Sequence, residues 1–483
     1  MNRPIRRVGY AITVLILLLV AQLTYLQVVD ANHLAHDPRN VRGALREYNR
    51  ARGEILTADG GLVARSLPST GDFKYLRVYP MGTLFAQVSG FQSFVGLVGN
   101  TGVEQSYDKV LTGQDSNLFS LGNLLSGKAD TNNVVLSLTQ SAQTAARDAL
   151  GTEPGSVVAL DIKTGAVLAM YSNPSYNPNG LSVHNSQFVQ NVYNDITRKP
   201  DEPLKARAYT ERYPPGSTFK VVTTKSALDT GLATPDTEFD SSNGFEIPGT
   251  NTTLQNFGGE TCGGTLTQSL IDSCNATFAQ LGYQLNTAFP PQMEQCGINR
   301  QPPIDLSPSA VTSVGPAETA DRARFALAGI GQGDVFTSPL QMALVAAGIA
   351  NGGVIMQPHV VKEIQSADGA HVKTIDPQPW TTCMTPETAA KLTAMMVDVV
   401  DQGTGTAAQI DGVQVAGKTG TAQTTPGEAP HAWFIAFAPA LQPRYAVAVI
   451  VEHGGSLANE ATGGAVAAPI AKDVLQNLLS TNP

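Results

Sequence analysis

Cysteine is scarce in this chain: four residues in 483, with no C-x-x-C pair. Histidine is scarce too, with seven scattered copies and no H-E-x-x-H. Protein metal sites draw on those residue types at short spacings, so no metal site is expected, and no cofactor. Basic charge is in deficit, 31 Lys and Arg against 40 Asp and Glu, for a net -9. That argues against nucleic acid as a partner. No internal repeat of roughly 20–50 residues is present, which excludes a solenoid or propeller. G-x-S-x-G is absent, and His431 and His453 have no evident partners, so a Ser-His-Asp hydrolase is not expected. Beyond the N-terminus there is no second long apolar run, which excludes a polytopic helical membrane protein.

What is present begins at Met1. Arg3, Arg6 and Arg7 precede a run from Val8 to Val29 broken only by Thr13, Gln22, Thr24 and Gln27. About 22 helical residues span roughly 33 Å, enough to cross a bilayer core. A cleaved signal peptide has a shorter apolar stretch ending in small residues, and Leu23-Thr24-Tyr25-Leu26-Gln27 offers no such site. An uncleaved anchor is expected, with a cytoplasmic N-terminus by the positive-inside rule. The remainder then faces outward in a single-pass membrane protein of the plasma membrane. All four cysteines, Cys262, Cys274, Cys296 and Cys383, fall in that exported part, where disulfides form. Cys262–Cys274, Cys274–Cys296 and free thiols all remain open.

Three segments are expected: 1–29 as cytoplasmic tip and anchor, 30–150 as a mixed α/β pedestal, and 151–483 as the main domain. The pedestal shows short strand-like pieces around the Asp59-Gly60 turn and a polar loop from Ser116 to Asn133. The main domain opens on two apolar strands, Val157–Leu160 and Ala166–Met170, joined through Asp161–Gly165 as a hairpin. A long Asn-, Pro- and Tyr-rich loop, Asn173–Pro203, follows. Helices are expected at Ser217–Leu232, Gly264–Leu285, Pro339–Ala350, Glu387–Asp401 and Ala465–Leu479. Strand candidates are Val413–Thr421, Ala432–Ala438 and Tyr445–Glu452. Two strands at one end and three at the other imply an α+β fold, an antiparallel five-stranded sheet with helices packed on it. The Ser217 helix would be central and buried.

Three short motifs stand in line along that domain. Ser217-x-x-Lys220 follows the Pro214-Pro215-Gly216 turn. Serine at a helix start with lysine one turn on can serve as nucleophile and base. A lone S-x-x-K is usually a cap and a solvated lysine, and Ser106–Lys109 is such a decoy. At Ser217 the helix that follows is apolar, and a buried lysine needs a reason. Ser273-x-Asn275 is the second motif; S-x-N also starts at Ser175, Ser241 and Ser480. The third is Lys418-Thr419-Gly420-Thr421, ending an apolar strand. Its other copy, at Lys163, sits in a hairpin turn, where glycine is structural.

Taken together and in this order, the three motifs resemble the penicillin-recognising serine transpeptidases and β-lactamases. Arg52-Gly53-Glu54-Ile55, Gly102-Val103-Glu104 with Tyr107-Asp108, and Gly331-Gln332-Gly333 with Thr337–Ala343 are similar to class B penicillin-binding proteins, most nearly their actinobacterial A-type members. The resemblance implies that family's transpeptidase fold, with helices on both faces of the sheet. It implies Ser217 as nucleophile, Lys220 as base and Ser273 as proton relay. Asn275 would hold a substrate amide. Lys418, Thr419 and Thr421 would bind a terminal carboxylate, with Gly420 allowing close approach. Backbone N–H groups of Ser217 and Thr421 would form an oxyanion hole. The implied reaction is D,D-transpeptidation of peptidoglycan stem peptides through a serine acyl-enzyme, open to β-lactams, in wall synthesis, division and cell shape. Implied partners are a polytopic glycosyltransferase and division or elongation proteins. The rivals are a D,D-carboxypeptidase, a β-lactamase, and a non-catalytic β-lactam sensor or divisome scaffold. Cys274 as the middle residue of S-x-N is a departure from the S-D-N pattern.

Overall fold

Turn residues divide the apolar runs into short strands, and the computed structural model pairs them. It describes residues 2–30, 48–71, 73–95, 98–115, 131–306, 314–425 and 427–481. Residues 116–130 of the expected polar loop lie outside the described residues. The chain starts as a helix, Asn2–Thr24, prolonged to Val29. Arg3–Val29 is an apolar helix of 27 residues, roughly 40 Å long, and its most apolar window is not buried against any of the described residues.

The pedestal contributes β1 (Ile55–Leu56), β2 (Leu62–Pro68), β3 (Tyr75–Val78) and β4 (Asn132–Leu136). The main domain supplies β5 (Gly155–Asp161), β6 (Val167–Asn173), β7 (Glu238–Ser242), β8 (Gly244–Glu246), β9 (Thr253–Gln255) and β10 (Cys262–Thr265). Next come β11 (Val354–Met356), β12 (Val361–Ser366), β13 (His371–Thr374) and β14 (Pro379–Thr382). Last are β15 (Ala416–Ala422), β16 (His431–Ala438) and β17 (Tyr445–Val451).

A six-stranded sheet runs β13-β12-β4-β1-β2-β3, so the β12–β13 hairpin from late in the chain joins strands from its start. Beside it, Glu104 is fully buried and accepts from Arg52 Nε (2.9 Å) and Arg77 Nε (2.6 Å). Arg52 also reaches Asp108 at 2.6 Å. Two guanidinium groups around one carboxylate keep a buried charge paired; removing either would leave it with one partner in place of two. Tyr107 donates to Asp305 at 2.7 Å, and Asp305 accepts from Val360 N and Val361 N, tying the pedestal to the main domain.

The central sheet runs β15-β16-β17-β5-β6, antiparallel throughout, as the strand order implied. β16 and β17 are buried at every position, which requires cover on both faces. Helices Pro339–Ala350 and Ala468–Thr481 both pack on these strands. The Asp161–Gly165 turn forms as expected, Asp161 accepting from Lys163 N and Thr164 N while Gly165 takes φ +77°. Lys163 therefore belongs to a turn.

Two expectations are corrected. The Asn173–Pro203 loop contains a helix, Ser186–Thr197, capped by Asn185 and carried by i,i+4 Gln–Asn bonds at 187–191 and 190–194. Phe188, Val189, Val192, Tyr193 and Ile196 recur at helical spacing and Val189 is buried, so the periodicity was present, set within a stretch rich in Asn, Pro and Tyr. The single helix expected over Gly264–Leu285 is two, Leu266–Ile271 and Asn275–Leu285. Ser273 breaks them with φ +61°. Cys262 lies on β10, beside the break, and its Cα is 5.9 Å from that of Cys274. The pair is disulfide-bonded, and Cys296 is bonded to Cys383. With the helix interrupted at Ser273, Cys274 lies within bonding distance of β10.

Peptide mapping of the unreduced protein should therefore recover two linked peptides, 262 with 274 and 296 with 383. A free thiol at Cys274, or a 274–296 link, contradicts this pairing.

Candidate active site

The turn before the central helix is built by close backbone approach. Gly216 N donates to Gly331 O (3.0 Å), Trp433 Nε1 donates to Pro214 O (3.1 Å), and Tyr213 exchanges two backbone bonds with Thr337. The Gly331 and Thr337 stretches singled out in the sequence thus clamp this turn. Gly216 sits at φ +52°, and a Cβ there would lie 2.9 Å from Thr421 O. A Cβ on Gly420 would meet Thr218 Cγ2 at 2.9 Å and Pro215 O at 3.0 Å. These two glycines let β15 press against the Ser217 turn.

Ser217 lies in a short 3-10 turn, Gly216–Phe219, and the α-helix itself starts at Lys220. Lys220 to Ala227 are all buried. Lys220 is 0 % exposed and so is Lys418. Both converge on one hydroxyl: Lys418 Nζ is 2.9 Å and Lys220 Nζ 3.3 Å from Ser273 Oγ. Lys220 Nζ also bonds Ser273 O (2.6 Å) and Asn275 Oδ1 (2.8 Å). Burial pushes Lys220 well below the ordinary lysine range, and the Lys418 charge pushes the same way. Burial alone brings Lys418 down to about 7.

Lys220 Nζ donates to Ser273 O, Asn275 Oδ1 and Ser273 Oγ, and Ser273 Oγ also accepts from Lys418. Among the described hydrogen bonds none belongs to Ser217 Oγ. The hydroxyl is half-buried and lines the cleft.

That cleft holds about 830 Å³ and brings together Ser217, Ser273, Asn275, Thr419 and Thr421. Gly420 lies between Thr419 and Thr421 on β15, and Lys220 and Lys418, both buried, reach the cleft through their bonds to Ser273 Oγ. The Ser106–Lys109 decoy stays in the pedestal, and Lys163 bonds Asn351. His431 accepts from His453 N and is lowered to about 4, by burial first and then by His453. Three contributors escaped the sequence reading. Thr404 shares a 2.6 Å hydrogen bond with Thr419 Oγ1. Gln255 O accepts from Asn275 Nδ2 at 2.8 Å. Trp433, read only as a strand residue, holds the Ser217 turn. No local pattern marks any of the three, because each acts through a partner distant in sequence.

Comparison with known proteins agrees with this geometry. Residues 155–476 match the penicillin binding protein transpeptidase domain, and residues 52–135 the penicillin binding protein A dimerisation domain. The chain is 44 % identical to the peptidoglycan D,D-transpeptidase PbpA of Mycolicibacterium smegmatis, over 98 % of each chain. It is 40 % identical to the PbpA of Mycobacterium tuberculosis, over 100 % of each. Among solved structures, the ceftriaxone acyl-enzyme complex of M. tuberculosis penicillin-binding protein A superposes with a TM-score of 0.83. It is 38 % identical, covering 90 % of this chain and 100 % of that one. The penicillin G acyl-enzyme complex of the same protein gives 0.81 at 38 % identity, over 89 % and 100 %.

The clamp on the turn makes a stability prediction. Gly216→Ala places a methyl against Thr421 O at a left-handed φ, costing about 1–3 kcal/mol. Thermal unfolding should show a melting temperature several degrees lower; an unchanged midpoint would mean the turn has slack.

Proposed function

The chain belongs to the penicillin-binding protein transpeptidase family, and on that premise we infer that it is a peptidoglycan D,D-transpeptidase whose acyl-enzyme forms on Ser217. The observation that carries the assignment of roles is the convergence of two buried lysines on Ser273 Oγ, in the cleft that Ser217 lines. The donor is a stem peptide ending in D-Ala-D-Ala. Its terminal carboxylate meets the Thr419 and Thr421 hydroxyls and the Lys418 charge. Its backbone lies along the free edge of β15. Strand addition supplies main-chain bonds without regard to side chains.

Ser217 Oγ attacks the penultimate carbonyl, and neutral Lys220 takes its proton. The oxyanion settles against the N–H groups of Ser217 and Thr421, each such donor worth about 2.7–4 kcal/mol. As the C–N bond breaks, Ser273 passes a proton to the departing D-alanine, recovering it from Lys220. An amine from a neighbouring stem then resolves the ester. A β-lactam enters the same way, but its leaving amine stays tethered after ring opening.

The helix Arg3–Val29 supports single-pass anchoring, which we orient with the arginine-flanked end in the cytoplasm and the catalytic domain outside the plasma membrane. We assign a polytopic glycosyltransferase and division or elongation proteins as partners of this helix and the pedestal.

Two experiments test the roles. Intact-mass measurement after penicillin treatment should show one adduct, lost in Ser217→Ala and kept in Ser106→Ala. An adduct surviving Ser217→Ala removes the assignment. Lys220 acts as a base only when neutral, and its pKa is depressed. Acylation should therefore fall as pH drops through that depressed value. Lys220→Arg should lose about a hundredfold or more in acylation rate, because arginine keeps its proton. Near-wild-type acylation by Lys220→Arg places the base elsewhere.

A further inference from the structure

The wall of the cleft opposite β15 is also a strand edge. In the β8–β9 hairpin, Asn256 N donates to Asn243 O and Ile247 N to Thr252 O, both at 2.9 Å. The register pairs Gly244 with Gln255 and Glu246 with Thr253. Bonded and non-bonded pairs alternate along an antiparallel ladder. Gly244–Gln255 and Glu246–Thr253 are therefore the non-bonded pairs, and the N–H and C=O groups of Thr253 and Gln255 point away from β8. The bond from Asn275 Nδ2 to Gln255 O, 2.8 Å, shows that outward direction. Among the described residues no strand pairs with this side of β9, and Thr253 and Gln255 both line the cleft.

The edge is held firmly. Asn256 is 5 % exposed; its Nδ2 donates to Ser242 O (2.7 Å) and Glu260 O (2.9 Å), and its Oδ1 accepts from Ala276 N (2.9 Å). The Cys262–Cys274 bond ties the base of the same flap to the Ser273 loop. The rim beside β9 is acidic. Glu260 and Asp272 are exposed there, and the described lining includes no lysine or arginine.

We propose that β9 is a second strand-addition edge and receives the acceptor, an extended peptide bearing a free primary amine. This rests on the acyl-enzyme reading above. With the donor on β15, the two peptides would lie on facing edges with the Ser217 ester between them. Main-chain bonds to Thr253 and Gln255 would set the acceptor's direction, while Glu260 and Asp272 attract its ammonium, which gives one proton to solvent before it reacts as the free amine. The amine nitrogen attacks the ester carbonyl, a C–N bond forms, and the C–O bond to Ser217 breaks. The proton shed by the nitrogen passes through Lys220 to Ser217 Oγ. Water is the competing nucleophile, so occupancy of β9 decides cross-link against hydrolysis.

The test measures that partition. The full-length protein in detergent is given a D-alanyl thioester donor with either an amine-bearing tetrapeptide or methylamine as acceptor. Thr253→Pro deletes one outward N–H from an unpaired edge, a position where proline is tolerated. Glu260→Gln removes one rim charge and leaves the backbone alone. With the tetrapeptide, the ratio of aminolysis to hydrolysis should fall about threefold to tenfold for Thr253→Pro, the worth of one hydrogen bond. For Glu260→Gln it should fall about twofold to fivefold, an effect erased by roughly 0.5 M salt. With methylamine, which has no strand to add, Thr253→Pro should change the ratio less than about twofold. A tetrapeptide ratio unchanged in both variants, with penicillin still acylating Ser217, overturns the proposal. So does an equal loss with both amines. Wild-type protein that takes no penicillin at Ser217 overturns the acyl-enzyme reading, and this inference with it.

Discussion

Two lysines buried to zero exposure share one serine hydroxyl, and the cleft is arranged around the consequences. Taking an ammonium out of water costs several kcal/mol, and two side by side repel as well. Among the described residues no carboxylate bonds Lys220 or Lys418. Lys225, one turn along the same helix, makes the contrast plain. It is equally buried, yet Asp229 at 3.4 Å and the Gln292 and Gln295 oxygens surround it, and its pKa falls only to about 8. Lys220 has only neutral acceptors and a second cation beside it, which hold its pKa well below the ordinary lysine range. That depression is a product of packing.

That hydroxyl has to be held in an uncommon place. Ser273 stands at φ +61°, where a side chain other than glycine, asparagine or aspartate is strained by about 1–3 kcal/mol. Three constraints bear on it. The Cys262–Cys274 bond fixes the next residue, Asn256 pins the flap to Ala276 N, and Lys220 Nζ grips the Ser273 carbonyl itself. The strain breaks one helix into two and aims Ser273 Oγ between the lysines. Cysteine in the middle of the motif, a departure from S-D-N, serves this purpose with its side chain fully buried, away from the cleft.

The sheet and pedestal transmit order to the same place. β16 brings Trp433 to Pro214 O, and Gly420 lets β15 touch the Ser217 turn. The pedestal motifs act locally: Arg52, Arg77 and Glu104 close a buried ion cluster, and Tyr107 binds Asp305 of the main domain. These contacts explain why the matching stretches carry charged and aromatic residues without lining the cleft.

From residues alone one could read the apolar helix at the N-terminus, the five strands and their antiparallel pairing, and the three motifs. These signals are local: hydrophobic length, continuous apolar runs between turn residues, and a lysine in an apolar helix. Ser217, Lys220, Ser273, Asn275 and Lys418–Thr421 were all legible, since short motifs in order carry their own spacing. Folding decided what depends on distant partners. It chose between Cys262–Cys274 and the other pairings, because the helix break that closes the distance comes from Ser273's backbone, which sequence periodicity does not record. It placed Lys220 among neutral acceptors beside a second lysine, which lowers its pKa, and gave Lys225 a carboxylate, although both are lysines on one buried helix. It brought Trp433, Thr404 and Gln255 to the site across 219, 15 and 20 residues of chain. Burial and hydrogen-bond partners are properties of the packed whole, and no local pattern contains them.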